Sequence, residues 1–177
     1  MRKAVLIAAL ALVVVPNAAA GARPTAADRA AAVRDCRSLK TSMGAATFAQ
    51  TFGTVQARRQ NAFGRCVRRF TRKEHENRHE AVHACRAERE KLGRDAFRQK
   101  YGTRDDRRSP FAACVSLRRR AESRRDRRSV LNAARTCKAE RGEMGAQAFA
   151  AKYGANENDG NAFGKCVSTL ARARADE

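Results

Sequence analysis

The sequence predicts an all-α protein of three tandem, disulfide-stapled helical hairpins, joined by long polar linkers that are themselves helical. Three observations carry that expectation: six regularly placed cysteines, a motif that recurs three times around them, and linkers that contain neither glycine nor proline.

The chain opens MRKAVLIAALALVVVPNAAAGA. A basic start at Arg2 and Lys3 precedes an apolar run from Ala4 to Val15, and small residues follow at Ala18 to Ala22. This is the layout of a secretory signal peptide over 1–22, with cleavage expected after Ala20 or Ala22. The apolar run is too short to span a bilayer as a mature helix, and no later stretch is apolar enough to do so. A secreted or envelope-associated protein is therefore expected. In an oxidising compartment, an even set of cysteines without a C-x-x-C pair reads as disulfides, not as a metal cluster.

Aligning the cysteines exposes the repeat. Cys36, Cys85 and Cys137 each begin C-x6-[ML]-G-x3-F-x3-[FY]-G, and Cys66, Cys114 and Cys166 each close F-x2-C-V. The first Cys of each copy lies on a helix running to Met43, Leu92 or Met144. Gly44, Gly93 or Gly145 follows, where a left-handed cap is tolerated. Phe48 and Phe52, Phe97 and Tyr101, and Phe149 and Tyr153 are spaced to share one face of a short helix. Asn61, Ser109 and Asn161 stand where a second long helix needs its N-cap, and Pro110 suits a first helical position. Antiparallel packing of the two long helices then pairs Cys36–Cys66, Cys85–Cys114 and Cys137–Cys166. A unit this small needs a staple, and closing such a loop contributes about 3–4 kcal/mol in the chain-entropy model.

The expected organisation is repeat 1 at 23–70, a polar linker at 71–84, repeat 2 at 85–117, an Arg-rich linker at 118–136 and repeat 3 at 137–177. TRKEHENRHE (71–80) and RRRAESRRDRRS (118–129) have almost nothing to bury, yet are rich in good helix formers. Long shared helices with solvated middles are expected, from Asn61 to about Leu92 and from Ser109 to about Gly142. On these motifs the chain resembles a group of secreted bacterial proteins with C-[KR]-A-E-R, A-F-x-x-K-Y-G and N-A-F-G-K-C-V units. Copy three matches best, through Cys137 to Arg141, Lys152-Tyr153-Gly154 and Asn161 to Val167. Copy one departs, with Ser38-Leu39 and with Phe52 for the tyrosine. The resemblance implies export and a repeated helical unit; it brings no activity and no catalytic residues.

HENRH (His75 to His79) matches the H-E-x-x-H pattern of zinc hydrolases, in which two histidines on one helix face hold the metal and Glu76 activates water. Its setting argues against that chemistry: it lies in the least buriable part of the chain, and no third ligand stands at the required spacing. His75, His79 and His83 fall at i, i+4 and i+8, so neighbours suit a metal pair at most. A metal-dependent hydrolase remains the alternative function; it would lose activity on Glu76→Gln and with chelator. No cofactor is expected, and the chain otherwise lacks an arrangement of nucleophile and base, so a non-catalytic protein is the expectation.

Net charge is +20. The excess sits in 23–70 and 118–136, while 137–177 is neutral. A basic exported protein seeks polyanions, so an anionic polymer or the cell-envelope surface is the expected partner. The candidate contacts are Arg58, Arg59, Arg65, Arg68, Arg69, Arg118, Arg119, Arg120, Arg124, Arg125, Arg127 and Arg128. Sequence-specific nucleic-acid reading is disfavoured, because nine of the ten aromatics occupy repeat positions and only Phe70 is left over.

Overall fold

A computed structural model describes residues 23–55, 57, 59–102, 109–154 and 161–173; the expected leader and Arg58 lie outside them. Helix α1 (Ala26–Met43) starts at a reciprocal capping box. Thr25 Oγ1 accepts from the Asp28 N–H at 3.2 Å, and Asp28 Oδ2 accepts from the Thr25 N–H at 2.8 Å. The helix stops at Gly44, whose φ is 79°. Gly93 and Gly145 repeat the turn with φ of 77° and 81°. The positive φ is as expected, but ψ is extended at all three. That region is open essentially only to glycine, and it folds the chain sharply into the next helix.

The short helices follow: α2 (Ala45–Phe52), α4 (Arg94–Tyr101) and, in the third unit, the last eight residues of α5 (Pro110–Tyr153) beyond Gly145. Each stacks its paired rings, at 4.9 Å for Phe48–Phe52 and 4.8 Å for both Phe97–Tyr101 and Phe149–Tyr153. The second long helices are α3 (Ala62–Leu92), α5 itself and α6 (Ala162–Ala173). Ser109 caps α5 as expected, its Oγ accepting from the Ala112 N–H at 3.2 Å with Pro110 in the first turn. Asn61 does not cap α3. Its side chain turns back to the preceding loop, accepting from the Thr54 N–H at 3.1 Å and donating to Thr54 Oγ1 at 3.0 Å.

The bridges are Cys36–Cys66, Cys85–Cys114 and Cys137–Cys166, with Cα atoms 6.0, 6.1 and 6.0 Å apart. All six cysteines are buried. Both linkers are helical throughout, 71–84 inside α3 and 118–136 inside α5. Glu74 and Asn77 meet Ser123 and Asp126, while Cys85, later on α3, is joined to Cys114, earlier on α5, so α3 and α5 run antiparallel. Unit 2 caps one end of that pair, with its own small core of Cys85, Phe97 and Cys114 backed by Tyr101, Phe111 and Val115. At the other end α1 returns along α3 and α6 along α5, so units 1 and 3 lie side by side. They share a single core that includes Leu39, Phe52, Phe70, Val130, Ala133, Phe149, Phe163 and Val167.

The helix middles are not solvated as expected. Glu74, Asn77 and Ser123 are 2%, 1% and 7% exposed, because α3, α5 and α1 close over them. Among the described residues no helix is long and apolar enough to cross a membrane.

The units are equivalent in motif but not in surroundings, and a pair of glycines shows it. A Cβ on Gly164 would lie 2.8 Å from Asn161 Oδ1 and 2.9 Å from the Thr51 carbonyl oxygen of unit 1, whereas one on the equivalent Gly64 meets nothing within 4 Å. Gly164→Ala is therefore expected to destabilise the oxidised protein by about 1–3 kcal/mol through overpacking. Gly64→Ala is expected to stabilise it by about 0.5–1 kcal/mol through helix propensity. Urea unfolding of the two variants checks the contrast; equal effects would mean that units 1 and 3 do not pack this closely.

Candidate functional site

Two places gather the functional candidates: a buried polar joint at the crossing of α1, α3 and α5, and a cationic groove between α3 and α6.

The joint accounts for the HENRH segment. Asp28, in the first turn of α1, is fully buried. It accepts from Arg78 Nε at 3.2 Å and from the Arg78 terminal nitrogen at 3.3 Å. His75 Nδ1 lies 3.7 Å from Asp28 and accepts from Arg78 at 2.9 Å. Burial pushes the Asp28 carboxyl up, but hydrogen bonds from the Thr25 backbone, Arg78 and the Thr25 hydroxyl outweigh it and hold the group below the usual carboxylate range. The middle of the motif thus anchors α1. The rings of His75 and His79 meet edge to face at 4.5 Å. His79 Nε2 is buried without a hydrogen-bond partner, and burial together with the charges of His75, Arg78 and His83 lowers its pKa. Glu76 faces outward, 3.6 Å from Lys73. His83 is exposed. Among the described residues no group of three His, Cys, Asp or Glu is placed to hold a metal ion.

Two turns further, Asp35 of α1 pairs with Arg127 of α5. Glu74 accepts from the Ser123 hydroxyl, and Arg119 Nε lies 3.9 Å from it. Asp35 Oδ2 has no other partner and shares its surroundings with Glu74. Burial, reinforced by that neighbouring carboxylate against the pull of Ser123 and Arg119, pushes Glu74 up to about 7.

The Arg-rich candidates separate on this map. Arg118 holds Glu88 at 2.6 Å, Arg119 serves Asp28 and Glu74, Arg125 meets Glu122 at 2.8 Å, and Arg127 holds Asp35. Arg120, Arg124 and Arg128 are exposed on α5. Arg59 adopts φ 64° in the turn beside Gly53, donating to the Gln50 carbonyl at 3.4 Å. Arg65, Arg68 and Arg69 line the groove.

The groove exists because α3 and α6 both lie on α5 without packing closely on each other. Arg69 Nη1 bridges them, donating to Ser168 Oγ at 3.1 Å. The opening holds about 1200 Å³ and is floored by Asp126, Ser129 and Val130 of α5. Each wall offers one helical stripe at i, i+3, i+4 and i+7: Arg65, Arg68, Arg69 and Arg72 on α3, and Lys165, Ser168, Thr169 and Arg172 on α6. These stripes occupy equivalent places in repeats 1 and 3, counted from Cys66 and Cys166. Lys73 and Lys152 add to the rim. Among the described residues two carboxylates line the groove, Glu76, which meets Lys73, and Asp126, which accepts from Asn77 at 2.7 Å.

Sequence reasoning missed the second wall, since the even charge count over 137–177 conceals that Lys165 and Arg172 share a face. The cysteine alignment, which sets Arg65 against Lys165 and Arg72 against Arg172, was the signal that finds it. Comparison of the chain with protein-family models, curated proteins and solved structures returned no match.

The joint yields a pH prediction. Glu74 has its folded pKa above its unfolded value near 4.5, so its stabilisation is complete below that value and is lost as pH rises through about 7. The size is on the order of 2–3 kcal/mol for a group this well shielded. His79 acts oppositely in an overlapping range, so the difference from a variant is the quantity to read. Glu74→Gln is expected to flatten the fall in melting temperature between pH 5 and 8 (about three units); parallel curves for wild type and variant would remove Glu74 from the account.

Proposed function

We propose that this is an exported, non-catalytic helical-repeat protein that binds anionic polymers at or near the cell envelope. The observation that carries the reading is the groove, where two basic helical stripes face each other while Glu76 meets Lys73 and Asp126 accepts from Asn77. Like charges held this close raise the local potential and draw polyanions from solution. Other features support the same reading. Three disulfides fit an oxidising compartment. Glu74 and Asp126 of the linkers are turned inward as hydrogen-bond partners, while Arg120, Arg124 and Arg128 are exposed. HENRH is occupied with joining helices, so no comparable observation favours a hydrolase.

A salt titration of the purified protein against isolated cell wall, anionic vesicles and DNA tests the proposal. Tight binding to one of these is expected, with log K falling against log salt at a slope of about −4 or steeper, as for five or so ionic contacts. Binding that is weak on every surface, or indiscriminate and gone at physiological salt, would leave the charge as a solubility feature only.

A further inference from the structure

Within the groove the charge is uneven, and the unevenness points to a ligand chemistry. This inference rests on the polyanion reading and narrows it. Arg69 of α3 sits deepest, half-buried between the walls, with Arg72 one turn further along α3 and Arg172 opposite on α6. Their charges act on one another: burial, then Arg172, then Arg72 hold the Arg69 guanidinium below its ordinary pKa, with Asp126 opposing. Asp126 is the carboxylate that acts on Arg69, and it also accepts from Asn77 at 2.7 Å. Arg72 and Arg172 are exposed at their own positions and make no ion pair among the described residues. Three guanidiniums therefore line one groove from two helices, with Asp126 the carboxylate that acts on them among the described residues.

We propose that Arg69, Arg72 and Arg172 form a receptor for a doubly charged phosphate group, with Ser168 and Thr169 as hydroxyl donors and Arg65, Arg68 and Lys165 taking the next phosphate along. A planar carboxylate engages one guanidinium fork. A tetrahedral phosphate presents oxygens in several directions, and its two charges match the local excess. From Arg65 to Arg72 the α3 stripe rises about 10 Å, so the groove takes consecutive phosphates in a row and not an isolated anion. The phosphates come either from a free or polymeric oligophosphate or from phosphomonoester lipid headgroups.

The test is calorimetric titration of the full oxidised protein at fixed ionic strength with sodium tripolyphosphate, orthophosphate, sulfate and citrate. It is repeated with Arg72→Ala, Arg172→Ala and the control Arg94→Ala/Arg98→Ala, two exposed arginines of α4 outside the groove. Both groove residues are exposed, and thermal melts confirm that each variant is folded. Tripolyphosphate is expected to bind tightest and to raise the melting temperature. Each groove variant should weaken it about tenfold, as for loss of one charge-assisted contact, while the control changes it less than twofold. Capture of phosphatidic acid vesicles over phosphatidylglycerol vesicles supports a headgroup source; tripolyphosphate binding without vesicle capture supports a free or polymeric one. Citrate binding as tightly as tripolyphosphate, or equal losses in groove and control variants, overturns the receptor. If wall or DNA binding survives in the groove variants and tripolyphosphate does not compete, the receptor fails and the polymer reading stands. If nothing anionic binds at physiological salt, both fail.

Discussion

Everything in this molecule hangs on two helices that do not break. α3 runs 31 residues, about 46 Å at the α-helical rise, and serves as the second helix of unit 1 and the first of unit 2. α5 does the same for units 2 and 3. Helical continuity leaves no hinge at either junction, so each unit's orientation to the next is a matter of helix phase. Because unit 2 folds α3 and α5 into an antiparallel pair, units 1 and 3 return to the same end. Separated by a hundred residues between equivalent cysteines, they then build one core.

The junctions hold together by polar chemistry where an apolar seam is the usual solution. Asp28, Asp35 and Glu74 face Arg78, Arg119 and Arg127 across three helices, with Ser123 and His75 completing the contacts. Buried charges of this kind cost desolvation and add little net stability. Their effect is positional: a one-turn slip of α1 along α3 would strand Asp28 away from Arg78. The segments that look most soluble in the sequence are thus the ones that set the register.

The repeats diverge where their surroundings do. In units 2 and 3 the Glu of the C-[KR]-A-E-R motif receives a Lys and the Tyr hydroxyl of the short helix, Lys100 and Tyr101 on Glu88 and Lys152 and Tyr153 on Glu140. Unit 1 replaces all three together, with Leu39, Thr51 and Phe52. Leu39 is fully buried and Phe52 nearly so, both within the core shared with unit 3, and an ion pair there would lack solvent. The departure of copy one from the motif is a single correlated change that makes the inter-unit core. That same apposition opens the groove, since the basic stripe following Cys66 comes to face its counterpart following Cys166.

Much of this was legible from residue order. The bridges, the glycine turns, the paired rings of the short helices and the continuous linker helices follow from interactions between residues a few positions apart, or from a motif repeated three times. Local propensity and repetition suffice for those. The side-chain role of Asn61 was misjudged because the loop before it offered Thr54 as a competing partner. The buried joint was invisible, since Glu74, Asn77 and Ser123 read as solvated until a third helix covers them, and their partners lie about 50 or more residues away. The groove was half visible: Arg65, Arg68 and Arg69 stood out as a basic run, while Lys165 and Arg172 vanished into a neutral count. A charge acquires its meaning from what faces it, and in a chain of repeats that depends on how long helices bring distant units together.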